Sequence, residues 1–194
     1  MNNILEVNNI AKNYTGFSLK DVSFEVPTGY IMGFIGPNGA GKTTTIKSIL
    51  NLISTDAGTV KLFGMDSKAD STKINEQIGV VMDAPFFVDD WTVADVETAV
   101  APFYAHWDRN KYTELLKSFN LDKKKKVKEL SRGMKVKLML AVALSHNAKL
   151  LILDEPTSGL DPVAREELCE MLSDFISDES RSILFSTQIG RAHV

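Results

Sequence analysis

The stretch "GPNGAGKT" at residues 36–43 limits what this chain can fold into more than any other. It fits the spacing G-x-x-x-x-G-K-[ST], which carries meaning only between a strand and a helix. Both flanks are present. "YIMGFIG" before it reads as a strand, and "KTTTIKSILNLI" after it places Ile46, Ile49, Leu50 and Ile53 on one helical face. Gly36, Gly39 and Gly41, with Pro37, Asn38 and Ala40 between them, let backbone N–H groups curl around phosphate oxygens with no Cβ in the way. The following helix aims its positive end at the same oxygens. Lys42 is placed to reach the β- and γ-phosphates, the Thr43 hydroxyl to hold Mg²⁺, and Thr44 to stand near the metal. The stretch is a phosphate-binding loop.

Around it, β-branched runs and amphipathic helical runs alternate. "ILEV", "DVSFEV", "GTVKLFG", "IGVVMD", "KLLILDE" and "RSILFST" read as further strands. Helical patterns fill residues 91–147, and another helix opens at Pro162, with Leu168, Met171, Leu172, Phe175 and Ile176 at core spacing. The expected architecture is α/β: a phosphate-loop core with a mostly parallel sheet, an N-terminal antiparallel β part, and a helical subdomain at about residues 91–147.

"LLILDE" at residues 150–155 buries four apolar residues, so Asp154 emerges at the carboxyl end of its strand, where open α/β sheets bind ligands. Asp154 is a candidate metal anchor, and Glu155 a candidate for orienting or deprotonating an attacking water. Paired with the loop, this is more than a strand ending in two acids. "LSRGMK" at residues 130–135 has two explanations: Ser131 simply caps the apolar helix that follows, or Ser131, Gly133 and that helix start bind a phosphate supplied from elsewhere. Spacing does not choose between them.

Composition narrows the field. A net charge of −3 gives no reason to expect nucleic acid, and the cluster at Lys123 to Lys126 plus Lys128 reads as a solvated turn. With 44% hydrophobic and 24% charged residues, the 194-residue chain suits one domain with a real core. The single cysteine, Cys169, fits a reducing compartment. His106, His146 and His193 show no metal-ligand spacing. Apolar runs fall far short of the about 20 residues that span a bilayer, so any membrane role is expected to come from a partner.

Taken in order, Tyr14, "GPNGAGKTT", "LSRGMK" and "LLILDEPTSGLDP" resemble the nucleotide-binding subunit of an ABC transporter, over about residues 3–188. "LSRGM" is similar to the family signature LSGGQ, with Arg132 replacing a glycine and Met134 the glutamine. "SGLD", from Ser158 to Asp161, matches the family's D-loop. Tyr14 falls where the family places an aromatic that stacks on adenine; otherwise it is a strand-end packing residue. The resemblance implies ATP and Mg²⁺ as ligands and ATP hydrolysis as the reaction. It further implies a homo- or heterodimer in which Ser131 and Gly133 of each copy serve the other's ATP. Membrane-spanning partner subunits would hold the cassette peripherally at the cytoplasmic face of the cell membrane.

Two positions depart from the family. Asp83 stands where it has glutamine at the end of "IGVVM", and Gln188 stands where a histidine follows "FST". A carboxylate at 83 can ligate Mg²⁺ or position water but donates no amide hydrogen bond. Glutamine at 188 can hydrogen-bond a γ-phosphate but carries no proton at neutral pH. The neighbouring "APFFV" either faces a membrane partner's cytoplasmic helix or packs locally. Rival readings are a soluble ABC ATPase acting on DNA or ribosomes, and a regulatory cassette that binds ATP with weak hydrolysis. Lys42 to Ser131 spans 89 positions with no sustained heptads, which opposes a DNA-tethering coiled coil. Finally, "IGRAHV" at residues 189–194 has no helical or strand period and matches the translation of a common sequencing adapter. It is therefore expected to be a non-native tail.

Overall fold

The structure, a computed structural model, describes residues 2–188. The expected non-native tail at 189–194 lies outside the described residues. Two four-stranded sheets organise the described residues. The antiparallel sheet has the order β2-β1-β4-β5, from β1 (Asn3–Tyr14), β2 (Phe17–Pro27), β4 (Ala57–Leu62) and β5 (Met65–Asp66). The parallel sheet has the order β3-β8-β7-β6, from β3 (Ile31–Ile35), β6 (Ile78–Val81), β7 (Leu150–Asp154) and β8 (Ser182–Thr187). Between strands lie α1 (Lys42–Ile49), α2 (Ser71–Asn75), α3 (Val93–Val100), α4 (Arg109–Ser118), α5 (Arg132–Ser145) and α6 (Pro162–Ile176).

The two hydrophobic clusters explain the layering. Leu5, Val7, Ile10 and Val26 of the antiparallel sheet bury against Ile46 and Ile49 of α1 and against Ile78, Leu150 and Ile152 of the parallel sheet. The opposite face of the parallel sheet, through Leu151, Leu153 and Ile183, packs on Leu138, Met139, Val142 and Leu168. Strand β7 is buried along its whole length, as its unbroken apolar run requires of a strand covered on both faces. The helices between residues 91 and 147 share this second core, since Val93, Val96, Tyr112 and Leu116 belong to it. Tyr112 also donates its hydroxyl proton to the carbonyl of Val93 at 3.1 Å, tying α4 to the start of α3.

Local differences from the sequence pattern have physical causes. The helical pattern over residues 93–107 breaks at Val100, because Pro102 turns the chain into the short 3₁₀ segment Ala101–Phe103. Strand β1 runs twelve residues, longer than "ILEV" indicated, with register shifts that keep it paired to β2 as far as Tyr14. Helix α2 and strand β5 are too short to carry a period.

His146, just past α5, is 2% exposed. Its ring stacks on Tyr104 with centroids 3.9 Å apart, and Nδ1 lies 3.2 Å from the Glu76 carbonyl. Burial disfavours the imidazolium and pushes its pKa down to about 4, despite the Glu76 carbonyl. The unfolded chain, with an ordinary histidine pKa of about 6.5, therefore binds more protons between those values. Stability from this residue is fully present above about pH 6.5 and is lost as pH falls toward 4, by roughly 3 kcal/mol. Urea unfolding at stepped pH should show this slope, and His146→Gln should flatten it; an unchanged slope would mean that His146 is not the titrating group.

Candidate functional site

Strand β3 delivers the chain to Gly36, whose N–H donates to the Thr187 carbonyl at 3.3 Å. The loop then turns through Gly39 (φ +79°) and Gly41 (φ +94°) into α1. Gly41 is required twice over: its φ lies in the left-handed region, and a Cβ there would stand 2.9 Å from Leu19 Cδ1. Among the described residues no side chain caps α1, whose N-cap is Gly41, so the helix start suits an anionic ligand. The loop folds around its own lysine. Lys42 Nζ donates to the carbonyls of Gly36 at 2.8 Å and Pro37 at 3.1 Å, and lies 3.3 Å from Glu155 Oε1. Both side chains are largely buried, at 6% and 13% exposure, so the pair is held in place rather than solvated.

The carboxylates come from the end of β7. Asp154 is buried, and the Ser186 hydroxyl donates to its Oδ1 at 2.6 Å while accepting the Glu155 N–H at 3.0 Å. This double contact follows from the parallel register, which sets Asp154 opposite Ser186. Glu155 adopts φ +50°, a conformation costing a non-glycine residue about 1 kcal/mol or more. The turn that continues from it, with the Ser158 N–H donating to the Glu155 carbonyl at 3.0 Å, fixes that geometry and sends the carboxylate toward Lys42.

These groups line one cleft of about 490 Å³, bounded by Phe17, Asn38, Gly39, Gly41, Lys42, Thr43, Thr44, Asp83, Glu155, Ser158 and Gln188. Glycine loop, lysine, hydroxyls, Glu155, Asp83 and Gln188 thus converge from separate segments of the chain. Asp154, Gly36, Pro37 and Ala40 are not among the lining residues; Asp154 is buried behind them, and the carbonyls of Gly36 and Pro37 accept from Lys42. The residues that the sequence offers to a cation, Thr43, Asp154 and Asp83, all carry oxygen donors. That set fits Mg²⁺, which takes one or two protein carboxylates and completes its octahedron with phosphate and water. The glycine loop and uncapped helix start fit a triphosphate.

Other expected residues stand elsewhere. Tyr14 is not among the lining residues; it is 47% exposed, with its ring centroid 6.5 Å from that of Phe17, which does line the cleft. Ser131 caps α5, accepting the Met134 N–H at 3.3 Å, and neither it nor Gly133 lines the cleft of its own chain. Asp83 forms an ion pair with Arg132. Phe17 and Ser186 do not stand out in the sequence. The signal for Ser186 is its place in "FST", one strand over from Asp154, but strand order is needed to see it.

Residues 19–158 match the family described as ABC transporter, which is well over half of the chain. The chain belongs to the ABC transporter family. Among curated members, it is 34% identical over 192 residues to the bacitracin transport ATP-binding protein BcrA of Bacillus licheniformis, covering 97% of this chain and 63% of that one. It is 36% identical over 189 residues to the Nod factor export ATP-binding protein I of Burkholderia pseudomallei, covering 94% and 62%. The chain therefore spans under two thirds of these ABC relatives' lengths. A solved ATP-binding subunit of an ABC transporter superposes with a TM-score of 0.84 at 31% identity, over 96% of this chain and 80% of that one. A dimeric ATP-binding cassette bound to ADP and Pi shares the fold, with a TM-score of 0.82 at 23% identity over 94% and 87%.

Proposed function

We propose that this chain is the ATP-binding and ATP-hydrolysing cassette of an ABC transporter, acting with Mg²⁺. The observation that carries the reading is the meeting of Lys42 and Glu155 across one cleft, each held by backbone contacts, with buried Asp154 behind them. The ammonium of Lys42 shifts from the loop carbonyls to the β- and γ-phosphates, and the N–H groups at the start of α1 share their charge. Bound Mg²⁺ offsets phosphate charge, and the Thr43 hydroxyl with Asp154 and Asp83 are the residues that would hold it. Glu155 takes a proton from the attacking water, and Gln188 donates an amide hydrogen bond toward the γ-phosphate. Tyr14 and Phe17, adjacent on the β1–β2 hairpin, form the aromatic side on which adenine stacks.

Ser131 and Gly133 complete the site from a second copy, whose α5 start brings N–H groups and positive helix potential to the γ-phosphate. Membrane attachment comes from transporter subunits at the cytoplasmic face. Among the described residues no helix is long and apolar enough to cross a membrane. An apolar groove of about 340 Å³, lined by Leu52, Met82, Phe86, Val100 and Tyr104 among others, is the seat for a partner's cytoplasmic helix. Phe86 is 60% exposed there while its neighbour Phe87 is buried, so "APFFV" splits between the groove and the core. Phosphate release from ATP tests the reading: turnover in excess Mg²⁺ and its loss in a chelator are expected, and hydrolysis indifferent to the metal would overturn it.

A further inference from the structure

The two residues at which the site segments depart most in charge from the family pattern touch one another. Asp83, just past the end of β6, pairs with the guanidinium of Arg132, the first residue of α5. The pairing is built from both sides. The stem of Arg132 lies over Gly159, in the turn after β7, where an added Cβ would stand 3.0 Å from Arg132 Cδ. Gly159 also has φ +69°, so glycine at this place both makes the turn and leaves room for the arginine. One side chain thus ties together the end of β6, the turn after β7 and the start of α5. Asp83 at the same time lines the cleft with Lys42 and Glu155.

We propose that Arg132 is a positioning residue, a latch that holds the Asp83 carboxylate away from metal until nucleotide arrives. The inference rests on the reading of the cleft as an ATP site. While Arg132 holds it, the Asp83 carboxylate has its charge offset by a cation from its own chain and is not free to take up a metal. When metal and triphosphate enter together, Asp83 exchanges the guanidinium for the metal's hydration shell, and Arg132 is released at the exposed start of α5. That start is the segment offered to a second copy, so metal-bound nucleotide in one cleft changes the charge shown to the partner. Side-chain exposures of 41% for Arg132 and 59% for Asp83 suit a contact that opens readily. An exposed pair of this kind shifts an equilibrium by a factor of about five at most, which is a switch of usable size rather than a lock.

The test is a double-mutant cycle read by ATP binding, using a fluorescent ATP analogue titrated with Mg²⁺ on the whole chain. Arg132→Gly should lower the Mg²⁺ concentration for half-maximal binding by about two- to fivefold, since Asp83 is no longer held. In an Asp83→Gln background the same Arg132→Gly change should leave that concentration unaltered. Arg132→Lys, keeping charge without the planar fork, should fall between parent and Arg132→Gly. An equal gain in both backgrounds would reveal general repulsion of the cation by Arg132 and overturn the latch. No gain in either background overturns it as well. If the parent chain binds no nucleotide at any Mg²⁺ concentration, the nucleotide-site reading itself fails and the latch with it. Binding in the parent with a flat cycle sinks the latch alone.

Discussion

Glu155→Gln is expected to slow phosphate release from ATP by about 10²- to 10⁴-fold without weakening ATP binding. The substitution keeps the size of the side chain and an oxygen that Lys42 can still donate to, so the 3.3 Å contact survives in kind. It removes the one property that glutamine lacks, a carboxylate able to take a proton from water. It also removes a negative charge from beside the triphosphate, which favours binding. The positive φ of Glu155 is set by the turn after it and is as costly for glutamine as for glutamate, so the backbone gives no reason for a difference. Opposed movements of turnover and affinity are the signature, because general damage would lower both. With turnover blocked, ATP should also accumulate the dimer, seen as a larger species by size-exclusion chromatography. Turnover at the parent rate would remove Glu155 from any role in activating water.

Lys42→Ala is expected to weaken ATP binding by about thirtyfold or more, the consequence of losing roughly 2 kcal/mol or more from a buried charge contact. Affinity is not all that changes, because Lys42 also braces the loop. Without the ammonium, the carbonyls of Gly36 and Pro37 lose their donor, and Glu155 at 13% exposure loses its counter-ion. A fall in unfolding temperature is therefore expected beside the fall in affinity. The double variant Lys42→Ala with Glu155→Gln separates the two effects. It removes both charges, so it should recover much of the lost stability but only the small part of the affinity that removing the Glu155 charge returns. If it restores ATP binding to the parent level, Lys42 acts only as a brace and the phosphate-contact assignment is wrong. A loss below about tenfold in the single variant would likewise remove Lys42 from contact with the phosphates.

How far the sequence can be read depends on whether a residue's role is local. The glycine loop, the uncapped helix behind it, the strand ending at Asp154 and the Ser131 cap are each specified within about ten neighbouring residues, and each lies where its segment indicated. Roles that arise between segments are hidden. Ser186 becomes visible only when β8 is seen beside β7 in a register that sets it opposite Asp154. The pairing of Asp83 with Arg132 joins positions 49 residues apart in the chain, and no periodicity connects them. Tyr14 stands out before Phe17 because the resemblance fixes a position along the chain, whereas the cleft is reached by whichever ring the hairpin turns inward. The helical pattern up to Trp107 runs past a proline whose effect depends on what the chain has to pack against next.

The order of strands has a consequence for the protein as it is made. β3, carrying the glycine loop, and β7, carrying Asp154 and Glu155, are not neighbours in the sheet; β8 lies between them and is the last of the described strands to leave the ribosome. A nascent chain released only as far as Ile176 owns the loop and both carboxylates, yet has no strand to bring them into register and no Ser186 to hold Asp154 and Glu155. The wedge that closes the sheet also aligns the two halves of the chemistry. Synthesis therefore delivers the parts of the proposed ATP site early and aligns them only when β8 is in place.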